Sequence, residues 1–181
     1  TLTVALIDSS TTVTTNATVD VSTRGGTTAY SSSTVTLSNT VNAVNDAPVA
    51  SGSATLTAID EDTANPSGAT VSSLFSSNFS DSTDTVSGGS SANTLAGIAI
   101  TSYTRDATKG EWQYSTNGSS WTTIGSSISA ASSSLTFKST DYLRFLPAAN
   151  WNGSAPTLTV ALIDSSTTVT TNATVDVSTR G

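Results

Sequence analysis

The sequence TLTVALIDSSTTVTTNATVDVSTRG occupies residues 1–25 and recurs without a single change at residues 157–181. The two copies are offset by 156 positions, because residue 157 repeats residue 1. Divergent internal repeats drift in sequence, so an identical pair indicates a longer polypeptide built from a near-identical unit of that length. The period matches one ordinary domain and far exceeds the roughly 20–50 residues of a solenoid repeat. We therefore expect a tandem array of domains, each with its own core.

Hydroxyl side chains dominate the composition. Ser and Thr together account for 70 of the 181 residues, whereas charged residues make up only 10% and apolar residues 35%. Such a composition is compatible with disorder, but the apolar residues alternate in runs such as LTVALI (2–7) and TVTL (34–37). Alternation with a period of two residues is typical of half-buried strands. We therefore expect an ordered β structure.

Short segments rich in β-branched and aromatic residues predict nine strands, at residues 1–7, 17–21, 34–41, 54–59, 98–103, 111–115, 135–138, 142–146 and 157–163. Turn-forming residues separate them, among them Ser87-Gly88-Gly89 and Asn117-Gly118, and the second pair predicts a hairpin. The candidate helix at residues 70–79 is Ser-rich, so we expect a loop or one short turn there. Many short strands with regular turns predict an all-β sandwich or barrel.

The charge balance and the absent residue types exclude several functions. Thirteen acidic against six basic residues, a net charge of −7, argue against nucleic acid and anionic membrane surfaces as partners. No apolar run approaches the roughly 18 residues needed for direct membrane insertion. The chain has no His and no Cys, which excludes imidazole triads, thiol nucleophiles and most zinc sites. A carboxylate pair could still hydrolyse glycosides, but no cleft-like pattern accompanies one, so we expect no enzymatic activity.

The aromatic residues cluster between positions 112 and 151 and allow two interpretations. Alternation in EWQYS (111–115) and DYLRF (141–145) favours a role in the core, because a chain rich in Ser and Thr has few other large side chains. The alternative is a carbohydrate-binding module that stacks sugar rings on exposed tryptophans, Trp112, Trp121 and Trp151.

The segment NAVNDAPV (42–49) resembles the linker between consecutive cadherin-like domains, which carries an Asn-Asp pair followed by Pro. The rest of the period is similar to the tandem repeats of giant bacterial RTX adhesins secreted by the type I route. That similarity rests on VDVSTRGGTTAYS (19–31), IDEDT (59–63), GIAIT (97–101), GEWQYSTNGSSW (110–121), YLRFLPAANWNG (142–153) and TLTVALIDSS (157–166). The motifs follow one another in the order typical of these repeats, and together they cover the whole period.

This resemblance implies an immunoglobulin-like (cadherin-like) antiparallel β-sandwich that binds Ca²⁺. It also implies a function in cell adhesion, as an extracellular extender at the bacterial cell surface. In that role the repeat contacts neighbouring identical repeats of the same polypeptide and projects a distal adhesive domain.

The acidic residues supply the candidate calcium ligands. Asp60, Glu61 and Asp62 are consecutive carboxylates that repel one another, and no Lys or Arg follows them before Arg105. Calcium takes 6–8 oxygen ligands from carboxylates, amides, carbonyls and water, so a bound cation would relieve this repulsion. Matched to the family motifs, the first candidate ligands are Asn45, Asp46, Asp60, Glu61 and Asp62. Further candidates are Asp81, Asp84 and Asp164, the last of which has its copy at Asp8.

The linker also predicts the division of the chain. Residues 1–46 are expected to be the C-terminal portion of one repeat, ending in the VNDAP linker, and residues 47–181 most of the next. An alternative boundary lies near Gly25-Gly26. With the first boundary, the second repeat lacks the counterpart of the strand at 34–41, which exposes an unpaired sheet edge. We expect residues 33–44 to fill that place in a neighbouring molecule, by strand exchange.

Overall fold

The computed structural model describes residues 1–86 and 91–179 and divides the chain into two compact units, Thr1–Asn42 and Ala43–Gly181. The division falls after Asn42, so the linker residues Asn45 and Asp46 belong to the second unit. The predicted turn at Ser87-Gly88-Gly89 lies outside the described residues.

The first unit is built on one antiparallel hairpin. Strand β1 (Leu2–Ile7) pairs with β2 (Tyr30–Leu37), with Leu2 opposite Leu37 and Val4 opposite Val35. A register shift follows Ala5. The apolar side chains of both strands are largely exposed, so this unit has little core of its own.

Within its described residues, the second unit contains ten strands and one short α-helix. The strands are β3 (Val49–Ala50), β4 (Ala69–Thr70), β5 (Phe79–Ser80), β6 (Leu95–Tyr103), β7 (Gly110–Ser115), β8 (Thr122–Thr123), β9 (Ser134–Lys138), β10 (Tyr142–Pro147), β11 (Leu158–Asp164) and β12 (Ala173–Val175). The helix is α1 (Val71–Phe75), and 3-10 turns lie at Ser76–Asn78, Ser82–Asp84 and Ala131–Ser133. All strand pairs are antiparallel.

Two four-stranded sheets form the body of the second unit. One has the order β4-β10-β7-β8 and the other β11-β6-β9-β12, while β3 and β5 form a small separate pair. The core contains residues of both sheets, including Ile98 and Ile100 from β6, Phe137 from β9 and Leu143 from β10. Because one apolar core joins the inner faces of two antiparallel sheets, the second unit is an all-β structure consistent with a sandwich.

Most of the predicted strands are present, and two predictions are wrong. Residues 54–59 alternate in sequence but form no strand, because no neighbouring strand pairs with them within the described residues. Residues 17–21 are also not a strand, although the copy of this segment forms β12 where it pairs with β9. The strand predicted at 34–41 instead spans Tyr30–Leu37. Identical residues therefore form a strand only where a partner strand is available.

Two local predictions are confirmed in outline. The hairpin at Asn117-Gly118 joins β7 to β8, but its loop is wider than a two-residue turn, because the pairing nearest the loop is Tyr114 opposite Thr122. Of the two turn residues, only Gly118 has a positive φ. The Asn117 Oδ1 accepts the N–H groups of the next two serines and holds that loop. The short turn expected at residues 70–79 includes α1, whose N-cap is Thr70: its hydroxyl accepts the N–H of Ser73.

Gly97 on β6 allows the close approach of β9. A Cβ added at Gly97 would lie 2.2 Å from the Phe137 carbonyl oxygen and 3.0 Å from the Val169 side chain. The backbone oxygen belongs to a paired strand and cannot move aside without breaking the ladder. Glycine is therefore required here by packing and not by backbone conformation, because φ at this position is not positive.

We predict that Gly97→Ala destabilises the second unit by about 1–3 kcal/mol, the usual cost of overpacking a core. Gly125→Ala is the matched control, because an added Cβ there meets no atom within 4 Å. Thermal unfolding followed by circular dichroism should show a lower midpoint for Gly97→Ala and an almost unchanged one for Gly125→Ala. Equal midpoints for the two variants would contradict the packing role.

Candidate metal centre

The linker residues Asn45 and Asp46 make hydrogen bonds with side chains from distant parts of the second unit. Asn45 Nδ2 donates to Asp164 Oδ2 over 3.4 Å, and the Asp46 N–H donates to Asp84 Oδ1 over 3.0 Å. Asp164 is the last residue of β11, and Asp84 ends a 3-10 turn. The fold thus brings four of the predicted ligand residues together at the linker.

Asn93, on the segment before β6, connects these residues to a fifth predicted ligand. Its backbone N–H donates to Asp81 Oδ2 and its side-chain amide donates to Asn45 Oδ1, each over 2.5 Å. The Ser165 hydroxyl in turn donates to Asn93 Oδ1 over 3.1 Å. We call the resulting group the linker cluster: Asn45, Asp46, Asp81, Asp84, Asn93 and Asp164.

Three carboxylates of the linker cluster are almost fully buried, with exposed fractions of 5% for Asp81, 3% for Asp84 and 5% for Asp164. Burial of an ionised carboxylate costs several kcal/mol unless charges or hydrogen bonds compensate. The two ion pairs in the described part of the chain are formed by Arg105 and Lys109 with acids outside the cluster. For Asp81 and Asp164, the compensation comes from neutral N–H and O–H donors.

Asp81 shows the incomplete compensation most clearly. Its Oδ2 accepts the N–H of Asn93, whereas its buried Oδ1 has no hydrogen-bond partner among the described residues. An unsatisfied buried polar atom costs about 1–3 kcal/mol, and more when it carries charge. A bound cation would satisfy such an unpartnered carboxylate oxygen.

The chemistry of the linker cluster fits calcium. Within the described residues, no group of three or more His, Cys, Asp or Glu is arranged to hold a metal ion by itself. In the hydrogen-bond network of the linker cluster, the amides of Asn45 and Asn93 lie between the carboxylates. Calcium accepts amide oxygens beside carboxylates, and a half-turn of an Asn side chain exchanges its NH₂ for its oxygen. The mixed set therefore suits a hard cation.

The consecutive carboxylates Asp60, Glu61 and Asp62 lie elsewhere and form a different group. Asp62 Oδ1 accepts the N–H of Asn150 over 2.7 Å, and Glu61 Oε2 accepts the Asn152 side chain over 3.4 Å. All three acids are exposed. Within the described residues no hydrogen bond joins them to Asn45 or Asp46, so the first candidate ligands fall into two separate groups.

Sequence reasoning missed two members of this network, Asn93 and Ser165. Asn93 stands in SANTL (91–95), a stretch that carries no acidic residue and no recognisable motif. Ser165 directly follows Asp164 and donates to the Asn93 amide. The one usable signal was the polar run Asp164-Ser165-Ser166 at the end of an apolar strand.

Several other acids have a local structural role instead. Asp20, Asp106 and Asp176 each accept the backbone N–H of the residue two positions later, which is the geometry of an Asx-turn. Asp8, in the first copy of the repeated sequence, likewise accepts the backbone N–H of Ser10. Hydrogen bonds to the ionised form hold the pKa of all four carboxyls below the ordinary value, with Ser or Thr as the donor.

The tryptophans are half-buried and engaged in contacts inside the second unit. Trp112 packs edge-on against Phe145, with ring centroids 5.6 Å apart. Trp151 packs edge-on against the same ring, with centroids 5.8 Å apart. The Trp112 Nε1 also donates to a backbone carbonyl over 2.7 Å. Trp121 lies beneath the guanidinium of Arg144 at 4.1 Å. The glycan-stacking hypothesis stays a prediction, and none of these contacts favours it.

Comparisons of the chain with family models, with curated proteins and with solved structures found no match. Among the helices of the described residues, none has the length and apolar character needed to cross a membrane. The functional argument therefore rests on the residues and their contacts.

The Asx-turn at Asp106 gives a prediction about pH. The hydroxyl and N–H of Thr108 hold the pKa of Asp106 below its ordinary value, so the turn stabilises the fold above the unfolded-state pKa. That stabilisation is lost as the pH falls through the lower, folded-state pKa. We expect Thr108→Val to raise the Asp106 pKa, as measured by NMR titration of its carboxyl carbon.

The matched control for this prediction is Thr104→Val, which removes a hydroxyl that makes no hydrogen bond to Asp106 and should leave the titration unchanged. An Asp106 pKa that is the same in Thr108→Val and the unsubstituted protein would contradict the assignment.

Proposed function

We propose that this chain is a repeat of an extracellular array, a calcium-stabilised extender of a large bacterial surface adhesin with an immunoglobulin-like sandwich in each repeat. The observation that carries the proposal is the linker cluster, in which Asn45 and Asp46 bond to buried acids of the second unit. A linker tied to the body of a repeat cannot bend freely where the chain enters it.

The side chains of the cluster have distinct roles in this mechanism. Asp81, Asp84 and Asp164 supply buried negative charge from three separate segments, and Asp46 and Asn45 bring the linker to them. A bound Ca²⁺ supplies the positive charge that Asp81 and Asp164 lack among the described residues. The linker and the body of the repeat then share one set of ligands, so ion binding and linker ordering are the same event.

Further support comes from the repeat and from the absent residue types. The identical copies at 1–25 and 157–181 suit a part that is multiplied for length, since copying adds reach without new chemistry. With neither His nor Cys in the sequence, the usual general base and thiol nucleophile are absent. The all-β architecture and the antiparallel pairing agree with the family resemblance of the linker motif.

The experiment that tests this proposal is thermal unfolding in EDTA and in millimolar CaCl₂. An ion that binds only the folded state stabilises it by about 2.7 kcal/mol at one hundred times Kd. For a unit of this size that gain raises the midpoint by roughly 5–10 °C. Isothermal titration calorimetry with CaCl₂ gives an independent measure of binding.

Three variants locate the ion. Asp81→Asn should abolish the calcium-dependent rise, because it removes the unpartnered carboxylate oxygen from the cluster. Asp176→Asn, an exposed turn residue, and the double variant of Asp60→Asn with Asp62→Asn should both keep the rise. The EDTA midpoint of each variant reports whether it still folds.

Two results would overturn the proposal. Identical midpoints for the unsubstituted protein in EDTA and CaCl₂, with no calorimetric binding, would remove calcium from the account. A rise that survives Asp81→Asn but disappears with the double variant would move the ion to Asp60–Asp62 and remove the link between ion and linker.

A further inference from the structure

The repeated sequence occurs in two structural settings, as β1 in the first unit and as β11 in the second. Residues 2–7 and 158–163 are identical, LTVALI. β1 pairs with β2, whereas β11 pairs with β6. In the part of the chain that the structure describes, no strand pairs with the other edge of β11, which ends its sheet.

The free edge of β11 presents backbone groups for pairing. Tyr103 on β6 exchanges both backbone hydrogen bonds with Ile128, each over 2.8 Å, so its N–H and carbonyl point away from β11. Tyr103 stands opposite Leu158. In an antiparallel ladder this makes them a non-hydrogen-bonded pair, which turns the N–H and carbonyl of Leu158 outward from β6. Such an edge is a template for another strand.

The pairing of β1 shows which strand fits that template. Leu2 stands opposite Leu37 and Val4 opposite Val35. Transferred by sequence identity, the same register places Leu37 opposite Leu158 and Val35 opposite Val160.

The side chains agree with that register. Leu158, Val160 and Leu162 pack as partly buried residues against the core of the second unit, on one face of β11. Directly opposed residues of an antiparallel pair point to the same face. Leu37 and Val35 would therefore join the core, whereas in the first unit they are 64% and 50% exposed.

We propose that the free edge of β11 is an acceptor site for strand β2 of a second copy of this chain. In the exchange β2 leaves β1 and finds an identical backbone partner in β11. Pairing with β11 is more favourable than pairing with β1. An isolated two-stranded hairpin is marginally stable, whereas β11 is already paired with β6 and packed against the core. The gain comes from burying the apolar side chains of β2. This inference does not depend on calcium.

The length of the connecting chain favours a second copy as the donor. Asn45 bonds to Asp164 at the end of β11, while the inferred register places Leu37 beside Leu158 at its start. These two ends are roughly 20 Å apart, at about 3.3 Å per residue. Residues 38–45 would have to span that distance and also reverse direction, with a maximum reach of about 26 Å. A strand from another molecule has no such constraint.

Cysteine cross-linking tests the register directly, since the chain contains no cysteine of its own. Val35→Cys and Val160→Cys are prepared as separate proteins, mixed at equal concentration and oxidised. We expect a disulfide-linked heterodimer, identified by intact mass and peptide mapping, whose yield rises with protein concentration. Opposed residues in a ladder have the Cα separation that a disulfide requires.

Thr159→Cys replaces Val160→Cys in the matched control, because Thr159 is the neighbouring, exposed residue on the opposite face of β11. Its yield of heterodimer with Val35→Cys should be at least several-fold lower. Equal yields for the two mixtures would overturn the register. In the double variant of Val35→Cys with Val160→Cys, quantitative disulfide closure within one chain at every concentration would overturn the second copy as donor.

Discussion

The burial of Asp81, Asp84 and Asp164 is the constraint on which the rest of this account depends. A domain with 10% charged residues places three carboxylates almost completely out of water, in one network with the linker. Hydrogen bonds from neutral donors offset part of the cost, and one oxygen of Asp81 receives none from the described residues. Such an arrangement is weak as a stabilising device. It becomes reasonable if a cation completes it, because attraction to the cation then replaces mutual repulsion.

The same network attaches the linker to the second unit. Asn45 and Asp46 do not stand apart from the second unit, since they bond to side chains 119 and 38 positions away. Ordering of the cluster therefore orders the linker as well. The strand-exchange site belongs to a different interaction, backbone pairing at the β11 edge.

The sequence predicted what depends on local pattern. Strands with strong alternation and bulky residues were identified: β10 was predicted to within one residue, and β6 was predicted from its fourth residue to its end. The segment at 17–21 shows the limit, because its exact copy forms β12 only beside β9. A rule that considers the segment alone must assign the same structure to both copies. Whether a copy becomes a strand depends on tertiary pairing.

The candidate site was predictable to a similar extent. Acidic residues are few in this chain, so Asp81, Asp84 and Asp164 were identified as candidates by type. Their convergence was not predictable, because it depends on loops that the sheets bring together across the unit. Asn93 carried no signal at all, although it links Asp81 to Asn45.

A calcium titration followed by ¹H–¹⁵N NMR tests the central claim most directly, because amide signals report on each part of the cluster separately. The account predicts saturable shifts of the Asn93 and Asp46 backbone N–H groups and of the Asn45 side-chain amide. The Asn150 and Asn152 signals beside Asp62 and Glu61 should remain in place. Saturable shifts confined to Asn150 and Asn152, or no saturable shift at all, would contradict it.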